Sequence, residues 1–325
     1  MQISNSLSQR SLQHLPIQLF AIVMGMSGFA IMFAKAYHIL DMPYSIYITV
    51  LFIDTILFFA IFTAYMFKVL LYTQEVKKEF KHPIKSSFVA AISISFLLLS
   101  IAYYDFAPTL SIILWYIGTP LQLFFTLYII NYWIHNELKV VHSNPAWFIP
   151  IVGNVLVPVI GVEAAPIYVS LFFFALGMFF WLVLFTITIN RVVFHHPLAK
   201  KLVPTFFILI APPAVGFISY FRISNGSIDM LSMFLYFIAL FTLFLLLFMV
   251  KMYDIKEFFI SWWAYTFPLA AISIATLMME LTFHNSVTYI ASVSMILLTT
   301  VVVSFVTYRT IKACKEEKIC IKEEE

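Results

Sequence analysis

The sequence predicts an all-α integral membrane protein with ten transmembrane helices, arranged as five helical hairpins. First, 62% of the 325 residues are hydrophobic and only 11% are charged, which is more apolar surface than a soluble domain of this size can bury. Second, the apolar residues form ten runs near the length of about 20 residues that crosses a bilayer as a helix. Third, the basic residues lie almost entirely on one side of these runs.

The apolar runs set the predicted domain boundaries. A transmembrane domain at 16–308 follows an N-terminal segment at 1–15 and precedes a charged tail at 309–325. The runs continue without the alternation of polar and apolar residues that a transmembrane barrel requires. The ten spans are predicted near 16–34, 45–67, 87–104, 109–133, 148–162, 167–189, 203–221, 230–250, 259–279 and 287–308.

The basic residues predict the orientation of the spans. With ten spans and both ends on one face, only Lys35 and Arg222 of the 19 Lys and Arg residues fall on the opposite face. Basic connections stay in the cytoplasm, so we expect both termini to be cytoplasmic and the protein to lie in the cell's inner membrane. The net charge of +3 is explained by these connections, and it does not predict a nucleic-acid partner.

A short motif precedes four of the five odd-numbered spans. It consists of a polar residue followed, directly or after one residue, by a proline. Proline costs little at a helix start, where its missing N–H would be unpaired anyway. The motif is therefore either a general helix start or a sign of five copies of one hairpin around a pseudo-symmetry axis. Its instances are His14-Leu15-Pro16, His82-Pro83, Asn144-Pro145 and His196-Pro197.

Residues that could support catalysis are scarce. Asp54 is the single charged residue within the predicted spans, whereas chemistry inside a membrane needs ionisable groups that face a cavity. The eight histidines lie in loops or at span ends, and Cys314 and Cys320 lack metal-ligand spacing. We expect no enzyme activity, no metal and no cofactor. Asp54 is either a proton-relay acid or, on a peripheral even-numbered helix, a neutral or subunit-facing one.

The odd-numbered spans are rich in residues that disturb helices. Proline removes a backbone hydrogen bond and glycine permits close approach, and such breaks are tolerated at membrane depth where they line a protein or water cavity. These residues therefore either kink the helices for packing or line a pore. They are Gly25, Gly28, Gly153, Pro158, Pro212, Pro213 and Pro268.

Hydroxyl side chains on the odd-numbered spans are candidate anion contacts. Ser93 and Thr266 could each donate a hydrogen bond to a passing anion. The alternative is that each hydroxyl bonds to the backbone of its own helix.

Motifs along nearly the whole chain resemble the tellurite-resistance/dicarboxylate transporter family, which includes bacterial tellurite-resistance anion channels and the plant guard-cell slow anion channel. The most specific is a ten-residue block in span nine, whereas spans one and three lack the family's proline. The matching motifs are Ser261-Trp262-Trp263-Ala264-Tyr265-Thr266-Phe267-Pro268-Leu269-Ala270, His82-Pro83, Ile117-Gly118-Thr119-Pro120-Leu121-Gln122, Asn144-Pro145 and Ala211-Pro212.

The resemblance implies an inner ring of odd-numbered helices, an outer ring of even-numbered helices, and a quasi-five-fold axis with a pore in each subunit. It further implies a homotrimer and a phenylalanine of span nine, here Phe267, that closes the pore. With 36 phenylalanines in the chain, packing is the alternative role for Phe267. Membership would make the lipid bilayer and small inorganic anions the partners.

We therefore expect a channel for small monovalent anions such as nitrate and chloride. A pore without charged side chains would favour ions that lose water easily. The alternative is a secondary transporter of C4-dicarboxylates, or a tellurite or sulfite exporter. A proton-coupled carrier needs an acid on a pore-facing helix, and the sequence predicts none.

Overall fold

The computed structural model describes residues 11–253 and 256–321, and within them it contains helices and no strand. Ten helical segments are long and apolar enough to cross a membrane, which confirms the predicted number of spans. Arg10 and Lys322, which contribute to the charge asymmetry of the sequence, lie outside the described residues.

The spans are numbered one to ten in chain order. Most of them extend several residues beyond the predicted bounds, and a short helix, Thr73–Phe80, follows span two. The odd spans are Ile17–Leu40, Lys85–Tyr103, Pro145–Ala164, Lys200–Ile223 and Ile260–Phe283. The even spans are Tyr44–Leu71, Pro108–His135, Ile167–Phe194, Met230–Phe248 and Ser286–Lys315.

The odd spans form a closed inner ring. Span one packs against span three, and the contacts continue through spans five, seven and nine back to span one. Each even span packs outside, against the odd span of its own hairpin and the next odd span around the ring, which for span ten is span one. The most apolar stretches of the odd spans are 78–94% buried, against 28–39% for the even spans. Five hairpins therefore surround one axis.

Each odd span begins with, or is interrupted by, a 3-10 helix, whereas the even spans are continuous α-helices. A 3-10 helix is narrower than an α-helix, with a rise of about 2.0 Å per residue against 1.5 Å. The odd spans thus share one secondary-structure pattern, which supports five copies of one hairpin. Their 3-10 segments are Ile17–Leu19, Lys85–Ala90, Pro145–Trp147 with Gly153–Leu156, Lys200–Ile210 and Ile260–Tyr265.

The prolines mark the change from 3-10 helix to α-helix. Pro158 and Pro212 each occupy the first turn of the α-helix that completes the span, as does Pro268 in span nine. A proline in a first turn interrupts no α-helical hydrogen bond. The expected breaks inside continuous α-helices therefore do not occur at these prolines, which stand where an α-helix begins. Spans one and three change in the same way without proline.

Asp54 is not the single charged residue within the spans, because the helices continue past the charges at which the predicted spans end. Lys68, near the end of span two, is buried. Its Nζ donates to Glu79 Oε1 and to the Leu15 carbonyl, each at 2.7 Å. The short helix is thereby fixed beside the chain that leads into span one. Within the bounds that the structure gives, the odd spans contain further charged residues, including Lys35, Glu163, Arg222 and Glu280.

Candidate functional site

A cavity lies on the axis of the inner ring, and all five odd spans contribute to its wall. The space between these spans that holds no protein atoms is roughly 730 Å³, and part of this space is open to solvent at the mouth. Its wall is almost entirely apolar, and no described residue that lines it is charged. One lining residue from each odd span defines it: Met24, Ile94, Gly153, Pro212 and Phe267.

The cavity occupies the half of the ring that holds the beginnings of the odd spans. Gln18, Ile208 and Ser261 line it within or beside 3-10 segments. At its other end the wall reaches Leu156 and Pro268, and no lining residue comes from the final turns of an odd span. The cavity therefore ends about midway along the ring, at the depth of Phe267.

Phe267 lies between the cavity and span one. Its ring faces Gly28, where a Cβ atom would stand 3.0 Å from Phe267 Cδ2. Gly25 lies one turn away, and a Cβ atom there would stand 2.0 Å from Thr266 Oγ1. The two glycines therefore allow span nine to approach span one closely, and Gly28 leaves the space that the Phe267 ring occupies.

The turn before Phe267 is held by side-chain hydrogen bonds. Thr266 Oγ1 donates to the Trp263 carbonyl at 2.7 Å, across the change from 3-10 helix to α-helix. Trp263 Nε1 donates to Thr310 Oγ1 of span ten at 2.9 Å. The sequence block that resembles the transporter family therefore fixes the backbone that carries Phe267.

Neither candidate hydroxyl lines the cavity. Ser93 is fully buried and donates to Gln122 Oε1 at 2.7 Å, while Gln122 Nε2 donates to the Pro150 carbonyl at 2.9 Å. Thr266 is also fully buried, against Gly25. Ser93 Oγ also lies 2.9 Å from the Ala90 carbonyl, and Thr266 Oγ1 donates to the Trp263 carbonyl, so each hydroxyl bonds to the backbone of its own span, as the alternative interpretation expects. Their contact with an anion stays a prediction.

The predicted proline and glycine positions divide into three groups. Gly153, Pro212 and Pro268 line the cavity. Gly25 and Gly28 lie at the contact between spans one and nine, while Pro158 and Pro213 are buried in the first turns of their α-helices. The sequence does not single out Met24, Ile94 and Leu156, which also line the cavity, because an apolar side chain that lines a cavity has the same sequence signal as one that packs.

Asp54 faces the inner ring rather than a neighbouring subunit, which corrects one of the expectations for it. Its carboxylate is fully buried, and Ser27 Oγ of span one donates to Asp54 Oδ2 at 2.5 Å. Among the residues that the structure describes, Oδ1 has no hydrogen-bond partner. Asp54 does not line the cavity, and among the described residues no group of three or more His, Cys, Asp or Glu could hold a metal ion.

The sequence of the chain is similar to those of a known protein family. The family model described as "Voltage-dependent anion channel" matches residues 14–311. The chain is 33% identical over 271 residues to the S-type anion channel SLAH2 of Arabidopsis thaliana, covering 81% of this chain and 52% of that protein. It is 31% identical over 296 residues to SLAH3 of the same plant, covering 89% of this chain and 46% of that protein.

A bacterial relative is also similar. The tellurite resistance protein TehA homolog of Haemophilus influenzae is 27% identical over 215 residues, which cover 64% of each chain. The chain spans about half the length of the plant relatives it matches. The matched family range includes all of spans one to nine and nearly all of span ten.

We predict that Gly25→Ala destabilises the protein by about 1–3 kcal/mol, the usual cost of overpacking, because its Cβ would overlap Thr266 Oγ1. Gly28→Ala is the matched control and should cost less, since its Cβ would stand 3.0 Å from the nearest atom, Phe267 Cδ2, rather than 2.0 Å. Thermal unfolding in detergent measures both. Adding Thr266→Gly to Gly25→Ala should restore part of the loss. Equal stability of Gly25→Ala and wild type would contradict the close approach.

Proposed function

Since this chain belongs to the family of voltage-dependent anion channels, we propose that it conducts small monovalent anions, such as nitrate and chloride, along the axis of its own inner ring. The observation that carries this proposal is the apolar cavity, to which all five odd spans contribute. A cavity shared by five helices around one axis fits a path for ions through each subunit.

The wall of the cavity suggests how the channel selects its ions. An ion that enters it meets almost only apolar side chains and no charged one. It must give up much of its water without a charged partner in return, so the cost of dehydration decides which ion passes. We propose that nitrate and iodide pass more readily than chloride, and chloride more readily than divalent anions.

Phe267 is the proposed gate. Its ring stands where the cavity ends, and Gly28 gives it room on the opposite side. An aromatic ring across a narrow path excludes ions by volume, and its electron-rich face offers an anion no attraction. Rotation of the ring, or a small separation of spans one and nine, would open the path.

We further propose that three copies of the chain assemble in the cell's inner membrane, with both termini in the cytoplasm. The orientation is supported by the basic residues, which in the described part of the chain lie with few exceptions on the side of the longer connections. The exposed apolar side chains of the even spans, such as Phe172 and Phe179, would face lipid or a neighbouring copy.

We predict that Phe267→Ala raises anion conductance by about tenfold or more, because it removes the ring that closes the narrow point. Single-channel recording from purified protein in planar bilayers measures it. The matched control is Phe217→Ala, a fully buried position of span seven away from the cavity. It should cost roughly 3–5 kcal/mol of stability without an increase in current. Folded Phe267→Ala protein with wild-type current would exclude the gate.

We predict that Asp54→Asn leaves anion flux within about twofold of wild type, because an uncoupled channel needs no titratable acid. The asparagine Oδ1 can still accept the Ser27 hydrogen bond. Flux into liposomes, measured with and without a proton gradient, tests this. A proton-coupled carrier of dicarboxylates would instead show flux that depends on the gradient and is lost in the variant.

We predict a cytoplasmic C-terminus. A reporter that is active only in the cytoplasm, fused after Glu325, should therefore be active. A matched fusion of the same reporter within the connection between spans nine and ten, after His284, should be inactive. An inactive but well-expressed fusion at Glu325 would mean that the orientation is reversed.

A further inference from the structure

Charged residues cluster where the odd spans end, at the face that carries the short hairpin connections. We call this face the hairpin face. Each odd span brings a charged residue there, within its last turns or directly after them, and span one carries a second one, the exposed Asp41, directly after its end. Five of these residues, one from each odd span, form the cluster considered below. The five residues are Lys35, Asp105, Glu163, Arg222 and Glu280, in the order of spans one, three, five, seven and nine.

Glu163 and Arg222, two members of this cluster, form an ion pair and neutralise each other's charge. Arg222 Nη2 donates to Glu163 Oε1, and Arg222 Nε donates to the Val159 carbonyl at 3.0 Å. Tyr104 Oη donates to the other carboxylate oxygen of Glu163 at 2.5 Å. The Arg222 charge is therefore held by a carboxylate of the neighbouring inner helix and is not available to a mobile anion.

The two remaining carboxylates also have partners. Asp105 Oδ2 lies 2.9 Å from His38 Nε2, and Glu280 Oε2 accepts a hydrogen bond from Thr288 Oγ1. His284 Nδ1 lies 4.0 Å from Glu280 Oε1. Each acidic group of the cluster is thus engaged with a side chain of the hairpin face.

Lys35 differs from the other four residues. Within residues 11–253 and 256–321 its ammonium forms no ion pair and no hydrogen bond. It interacts at longer range with Asp105, Arg222 and Glu163, which come from three other hairpins of the ring. Lys35 lies in the last turns of an inner-ring helix and is only partly buried, so its ammonium can reach the mouth of the ring.

The backbone makes a cation at this position useful. All five odd spans run in the same direction, so their C-terminal ends converge on the hairpin face. Each C-terminal end carries a partial negative charge of about half an elementary charge. An anion on the axis would be repelled there, and an unpaired ammonium offsets that repulsion.

We propose that the Lys35 ammonium forms a binding site for a small monovalent anion at the hairpin-face mouth of the pore. This proposal rests on the proposed function as an anion channel. The site holds the anion before it enters, or after it leaves, the apolar part of the path. It raises the local anion concentration and does not decide between nitrate and chloride, because an ammonium attracts both.

The test is the dependence of single-channel conductance on chloride concentration, between about 10 mM and about 1 M, where the Debye length falls from about 30 Å to about 3 Å. It uses full-length wild type, Lys35→Gln and Lys35→Arg, in the Phe267→Ala background if wild-type currents are too small. Ser286→Asp is the control, since it lowers the charge of the same face by one unit on the outer ring.

We expect Lys35→Gln to lower conductance about fivefold at the lowest concentration, as the loss of one nearby unit charge implies, and to match wild type at the highest. Lys35→Arg should retain the wild-type curve, and Ser286→Asp should stay close to it. Unchanged conductance in Lys35→Gln, or an equal fall in Ser286→Asp, would overturn the site alone. If neither wild type nor Phe267→Ala passed anions, the channel proposal would fall as well.

Discussion

The absence of water in the hydrocarbon core governs this structure, because each backbone N–H and C=O group must find its partner within the protein. The even spans meet this requirement as continuous α-helices with one side towards lipid. The odd spans are enclosed by neighbours on almost all sides. In these enclosed spans the chain can change from 3-10 helix to α-helix, because backbone N–H and C=O groups whose hydrogen bonds are weakened by the change are shielded from lipid.

The axial cavity follows from this arrangement. The narrower 3-10 segments lie at the beginnings of the odd spans, and the cavity occupies the same half of the ring. Near its end, Gly25 and Gly28 let span nine approach span one, while Trp263 and Thr266 fix the turn before Phe267. With the backbone fixed and the Phe267 ring facing Gly28, the ring itself can move without a change in the helices. The wall is almost entirely apolar and no described lining residue is charged, so under the proposed function the cost of dehydration decides which anion passes.

Sequence patterns predict the large features of the fold because hydrophobic length is a direct physical requirement of the bilayer. The ten spans and their pairing follow from it. The inner ring of odd spans and the choice of Phe267 follow instead from the resemblance to the transporter family, which the block Ser261–Ala270 carries most specifically. The ends of the spans are less predictable. Predicted spans one and five stop just before Lys35 and Glu163, but the helices continue to Leu40 and Ala164. Glu163 is paired with Arg222 there, whereas Lys35 has no such partner among the described residues.

Two other features could not be read from the sequence. A 3-10 helix and an α-helix differ in which carbonyl accepts each hydrogen bond, and apolar residues such as Phe206–Ile210 permit both. The direction of a buried polar side chain is equally hidden. Asp54 turns to Ser27 of its own hairpin, and Ser93 turns to Gln122, because these contacts depend on how the helices are rotated against each other.

The central claim is that an anion crosses the ring along an apolar path on which dehydration sets the order of permeation. Reversal potentials of the purified protein in planar bilayers, with nitrate on one side and chloride, iodide or sulfate on the other, test it most directly. The account predicts that nitrate and iodide are more permeant than chloride and that sulfate is nearly impermeant. Greater permeability to sulfate than to nitrate, or anion flux without any current, would contradict it.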